Sequence, residues 1–88
     1  MKAVITVIGT DRPGIIATVS SGIFKKNGNI LDITQRVIED SIFTMVMLVE
    51  LDGENLPLVK ADLEKYSEES GLVIQIHREE IFNSMHRI

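Results

Sequence analysis

Thr10, Asp11 and Arg12 place a hydroxyl, a carboxylate and a guanidinium at consecutive positions, between an apolar run over residues 3–8 and an apolar-periodic stretch that opens at Ile15. With Pro13 and Gly14 they form a polar elbow that reads as the junction of a strand and a helix. The first N–H groups of a helix have no intrahelical acceptor, and the helix dipole adds roughly half a positive charge there, so such a junction favours a carboxylate. Asp11 is then available to an ammonium. A second polar junction follows at Asn27-Gly28-Asn29, where the Asn29 amide, donor and acceptor both, suits either end of a zwitterion. These residues also have purely structural uses. Asp11 or Thr10 can cap the helix, Pro13 fits a first turn, Gly14 permits close packing, Gly28 can close a helix in the left-handed conformation, and Asn29 can simply open a strand.

Other chemistries find little support. The chain has no cysteine, so disulfides, thiolate metal sites and a cysteine nucleophile are excluded. His77 and His86 lack ligand spacing and a nearby cluster, so neither a metal site nor a cofactor is expected, and Met45 and Met47 read as core or interface filler. The net charge is −4 and Lys25-Lys26 is the longest basic cluster, whereas nucleic-acid binding needs a basic stripe. The longest apolar run, residues 45–49, falls far short of the ~20 residues that span a bilayer. No segment resembles a signal peptide. We therefore expect no nucleic-acid or membrane partner and a cytoplasmic location.

The elements that must position the two junctions can be read from periodicity. Eighty-eight residues, 44% hydrophobic and 25% charged, suit one domain. Residues 3–8 predict a central strand ended by Gly9, and a helix starts between positions 11 and 14. Ile15, Ile16, Val19, Ile23 and Phe24 form its apolar stripe, and Gly28 stops it. Residues 29–38 predict a second strand with Leu31, Ile33 and Val37 on one face. The turn Glu39-Asp40-Ser41 leads to a third strand over 42–51, in which Phe43, Met45, Met47, Val49 and Leu51 oppose Ile42, Val46 and Leu48. After a turn at 52–55, a helix with Pro57 in its first turn carries Leu56, Val59, Leu63 and Tyr66 and ends at Gly71. Residues 72–77 predict a fourth strand, and Ile81, Phe82, Met85 and Ile88 a short amphipathic helix.

This order is two βαβ units, residues 3–38 and 42–78. With right-handed crossovers it gives an α+β ferredoxin-like sandwich: a four-stranded antiparallel sheet with two helices on one face, plus a short C-terminal helix. The second and fourth strands are then edges. The fold hosts many activities, so the residues must choose. The first strand has no aromatic residue and the third only Phe43, against stacking of RNA bases. Arg12 is a partial echo of the small acyl-phosphate hydrolases of this shape, but the asparagine they carry on the third strand is missing. No catalytic residues are assigned and the chain is not expected to be an enzyme.

With Thr10-Asp11-Arg12-Pro13-Gly14-Ile15 after the first strand and Asn27-Gly28-Asn29-Ile30 before the second, the chain resembles the ACT domain, a small regulatory module that binds amino acids and related effectors. The resemblance covers residues 2–78; the domain is taken as 1–78 and the helical extension as 79–88. With no catalytic domain attached, it is similar to stand-alone ACT regulators related to glycine-cleavage control. The resemblance implies an effector held between two modules, by the elbow of one and the first helix or second strand of the other. The matching positions here are Thr10, Asp11, Arg12, Pro13, Gly14 and Ile15, with Gly28, Asn29, Ile30 and Leu31. The implied function is non-catalytic binding of a small effector, an amino acid by preference, with signalling to a regulated protein partner. The alternative is a protein-binding adaptor without a ligand. Because helices cover only one face of the sheet, the two-sided third strand leaves apolar surface exposed, and a homodimer or higher homo-oligomer is expected, through edge strands or stacked sheets.

Overall fold

The computed structural model describes residues 1–86. The chain runs β1 (Lys2–Thr10), α1 (Ile15–Lys25), β2 (Asn29–Ile38), β3 (Ile42–Glu50), a 3₁₀ turn (Gly53–Asn55), α2 (Leu56–Ser70), β4 (Val73–Arg78) and α3 (Glu79–Met85). The sheet order is β2-β3-β1-β4 with every neighbouring pair antiparallel, so β2 and β4 are the edges and the ferredoxin-like arrangement stands. Ile88 of the anticipated C-terminal stripe lies outside the described residues. Among the described residues no helix is long and apolar enough to cross a membrane.

Strand alternation sorts the core. Ala3, Ile5 and Val7 of β1 and Phe43, Met45, Met47 and Val49 of β3 meet Ile15, Val19 and Ile23 of α1 and Val59 and Leu63 of α2, all buried. The burial period on α1 is strictly i, i+4, i+8. Ile16 and Phe24 therefore fall on its flank rather than in the core, 38% and 79% exposed, and the apolar stripe read from the sequence is too wide.

The turns depart from the sequence reading in three places. Gly9 does not end β1. The strand continues to Thr10, opposite Ile42, because a Cβ at position 9 would stand 2.7 Å from Leu72 Cδ2 and 3.2 Å from Leu72 Cα, and glycine lets the backbones approach. α1 begins at Ile15, with Gly14 as its cap at φ +84° and no side-chain cap hydrogen bond, so neither Asp11 nor Thr10 caps it. At the other end the left-handed residue is Asn27 (φ 58°) rather than Gly28. Gly28 is required for close approach, since a Cβ there would meet Ile23 Cγ2 at 2.5 Å. Gly71 does end α2 in the left-handed conformation, its N–H donating to the Ser67 carbonyl at 2.9 Å.

The opposite face of the sheet is covered only in part. Val4 faces away from α1 and α2, lies outside their core cluster, and is nevertheless only 5% exposed. α3, which packs on β1 and β4, closes over it. Beyond α3, towards the elbow end, Ile8, Ile38, Ile42, Val46 and Val73 on that face remain exposed.

Candidate functional site

The elbow is anchored by its backbone and open at its side chains. The Asp11 N–H donates to the Ser41 carbonyl at 2.7 Å, which fastens the elbow to the tip of the β2–β3 hairpin. That tip is a tight turn in which Glu39 (φ 51°) and Asp40 (φ 61°) are both left-handed and the Ser41 N–H returns to the Ile38 carbonyl at 3.2 Å, the signature of a type I′ turn. Thr10, Asp11, Arg12, Pro13 and Gly14 are exposed, and Ile15 is buried beneath them. Among the described residues the ion pair is Arg78–Glu80, at 3.9 Å and exposed, so Arg12 and Asp11 have no ionic partner there. The first helical ladder bond runs from the Thr18 N–H to the Gly14 carbonyl at 2.9 Å. Among the described residues no side chain takes the N–H groups before it, and they are left for water or for an anion.

The second group sits at the far end of the same flank. The Gly28 N–H donates to the Ile23 carbonyl at 2.9 Å, wrapping the end of α1 into β2. The Asn55 side-chain amide donates to the Lys26 carbonyl at 3.1 Å and satisfies another carbonyl of that terminus. Asn29 is exposed opposite Glu50, and Ile30 is half-buried opposite Val49. Leu31 lies at a break in register between Ile30 and Asp32, an irregularity that the regular alternation of the sequence conceals, and it is 41% exposed. Between α1 and the start of β2 runs a groove of about 540 Å³, lined by Ala17, Ser20, Phe24, Gly28, Asn29 and Ile30 among others.

The structure does not bring the two groups together within one chain. Thr10 is level with Ile42 and Asn29 with Glu50, at opposite ends of β3. Eight strand steps separate them, roughly 26 Å. Both nonetheless lie along α1 and β2; α2 touches α1 but packs on β4, at the other edge of the sheet. Ala17, Ser20 and Phe24 of α1 join the Asn29 end, and sequence reasoning missed them as site residues. The signal was present in the spacing of Ile16, Ser20 and Phe24, a second i, i+4, i+8 row beside the buried one. A separate groove of about 460 Å³ between α1 and α2, which includes Lys25, Asp62 and Tyr66, contains none of the elbow residues. Among the described residues no group of three His, Cys, Asp or Glu side chains is placed to hold a metal ion.

Comparison with known proteins bears on what this arrangement is for. An ACT domain family model matches residues 2–77. The UPF0237 protein of Methanopyrus kandleri is 43% identical over 89 residues, which cover 99% of this chain and 98% of that protein. The UPF0237 protein of Clostridium acetobutylicum is 46% identical over 90 residues and 100% of both. Neither name carries a catalytic activity. Among solved structures, an ACT domain protein from Streptococcus pneumoniae superposes with a TM-score of 0.78 at 35% identity over 93% of both chains. A protein proposed to be a glycine cleavage system transcriptional repressor superposes with a TM-score of 0.79 at 29% identity, over 86% of this chain and 44% of its own.

Proposed function

The chain belongs to the ACT domain family, whose members are typically regulatory small-molecule-binding modules, and from that premise we propose that it binds an amino acid where two copies meet along the α1–β2 flank. In this reading it is non-catalytic, and ligand binding signals to a partner protein. The carrying observation is the start of α1, capped by Gly14 with no side-chain hydrogen bond, beside exposed Asp11 and Arg12, with the Gly28–Asn29 group on the same flank but roughly 26 Å away. A two-fold axis across that flank runs the second α1 antiparallel to the first and sets each elbow opposite the other copy's Asn29. The N–H groups before Thr18 then take the carboxylate, Asp11 takes the ammonium, and Asn29 of the second copy bonds to either. A ligand that binds the paired arrangement better than the separate chains shifts the population towards it, which is the signal a partner reads.

A thermal-shift panel of the twenty amino acids tests this. A ligand at 100 times its dissociation constant stabilises by about 2.7 kcal/mol. For a domain of this size that is an upward shift of roughly 10 °C or more. Asp11→Ala and Asn29→Ala each abolish the shift if the placement is right, and an unchanged response in both would refute it. A panel in which no amino acid moves the transition favours the ligand-free adaptor.

A further inference from the structure

The two faces of β2 differ in charge. Strand pairing sets Ile30, Ile33, Gln35 and Val37 level with Val49, Met47, Met45 and Phe43, which are buried beneath the helices, so this row faces the helix side of the sheet. Asp32, Thr34 and Arg36 are level with Leu48, Val46 and Thr44 and face the other way. Beside the first row, α1 presents its second row, Ile16, Ser20 and Phe24, whereas its Thr18, Gly22 and Lys25 line the groove against α2. The row on β2 and the row on α1 bound a trough along the edge of the sheet. Within it Ile16, Ile33 and Val37 are 38% to 45% exposed.

Among the described residues neither row contains a charged side chain, and the groove of about 540 Å³ at the Asn29 end has none in its lining. Ser20 and Gln35 are the polar members of the two rows, and the Ser20 hydroxyl already donates to the Ile16 carbonyl at 2.6 Å. Charge is gathered at the elbow end instead, where Asp11 and Arg12 are exposed and the hairpin tip adds Glu39 and Asp40. A zwitterion whose carboxylate and ammonium are held at that end has its side chain beside the trough. A second copy paired across this flank brings its own Phe24 and Ile30 over the same place and excludes water from it. A charged side chain there would give up its hydration and find no ionic partner, whereas an apolar one gains by burial.

On the two-copy reading of the site, on which this depends, we infer that the effector is an amino acid with an apolar side chain, and that the trough selects it. Ile16 and Val37 of the chain that holds the charged head lie on one side of the ligand side chain, and Phe24 and Ile30 of the second copy close the other. Acidic and basic amino acids share the head but add a charge that nothing in the trough pairs. Glycine shares the head and has no side chain to bury. Selection therefore comes from Ile16, Val37, Phe24 and Ile30, while Asp11 and the first N–H groups of α1 hold every amino acid alike.

Calorimetric titration of the unaltered protein with glycine, alanine, 2-aminobutyrate and norvaline tests this. Each added carbon is expected to tighten the dissociation constant about fourfold, the effect of burying one methylene group. Aspartate, glutamate, lysine and arginine are expected to bind more weakly than norvaline by roughly tenfold or more. Val37→Glu, at a position 45% exposed and checked for retained secondary structure by circular dichroism, is expected to lower the ratio of norvaline to glycine affinity by roughly tenfold. A loss of fold would lower both affinities together and leave that ratio unchanged, so the unaltered protein's own series decides in that case. Equal affinities along the series would overturn the inference and leave the trough to the second copy alone. So would a charged amino acid that binds more tightly than norvaline and loses its binding in Asp11→Ala. Both of these results leave the effector reading standing, whereas an absence of binding by every amino acid would overturn the two together.

Discussion

Two glycine-to-alanine changes six residues apart should move stability in opposite directions, because one glycine is a contact and the other is a vacancy in the helix surface. At Gly28 a Cβ would stand 2.5 Å from Ile23 Cγ2, 3.0 Å from the Ile23 carbonyl oxygen and 3.5 Å from the Glu50 carbonyl oxygen. Ile23 is 1% exposed and β-branched in a helix, so its side chain has one strongly favoured rotamer and nowhere to swing. Its carbonyl is held by N–H groups of Lys26 and Gly28 at 3.2 and 2.9 Å. Forcing a methyl group into such packing costs about 1–3 kcal/mol. Gly28 is not left-handed, so alanine also restricts the unfolded chain and recovers about 0.4–1 kcal/mol. The mid-values of these ranges leave a net loss of about 1.3 kcal/mol for Gly28→Ala, a fall in Tm of roughly 5–10 °C. At Gly22, inside α1, a Cβ meets nothing within 4 Å. Gly22→Ala therefore gains about 0.5–1 kcal/mol of helix propensity and raises Tm by several degrees. Thermal unfolding of both variants at one fixed protein concentration decides the matter, since any self-association would make Tm depend on concentration. A Gly28→Ala protein as stable as the unaltered chain would refute the claim that this junction is defined by close approach.

Three further outcomes follow from the same geometry, each read by urea or thermal unfolding. Gly14→Ala meets no atom within 4 Å but must hold φ +84°, and is expected to lose about 1–2 kcal/mol through backbone strain alone. Replacing Glu39-Asp40 by Asn-Gly, the preferred pair for a turn with two left-handed residues, should raise stability by about 1 kcal/mol. The neighbours Ile23 and Phe24 should part company: Ile23→Ala loses about 2–5 kcal/mol from the core, and Phe24→Ala, 79% exposed, stays within about 0.5 kcal/mol.

Element types and order were legible in the sequence because residue alternation and helical periodicity follow from burial. β3 is the clearest case: Phe43, Met45, Met47 and Val49 are buried, and Ile42 and Val46 on the other face are exposed, although the strand ends at Glu50, one residue short of the expected Leu51. What the sequence could not show was which of two adjacent apolar rows on α1 faces the sheet. Ile15, Val19 and Ile23 compete with Ile16 and Phe24 on equal hydrophobic terms, and only the packing of the whole helix on the sheet shows that the first row is buried. The capping of α1 was misread for a similar reason. Asp11 has the right chemistry for a cap, but its N–H is drawn to Ser41, a residue thirty positions away, and the chain turns into the helix at Gly14 instead. The break in register at Leu31 leaves no mark in the alternation. At the candidate site, the two polar junctions were visible as motifs, while their separation along β3 depends on strand register.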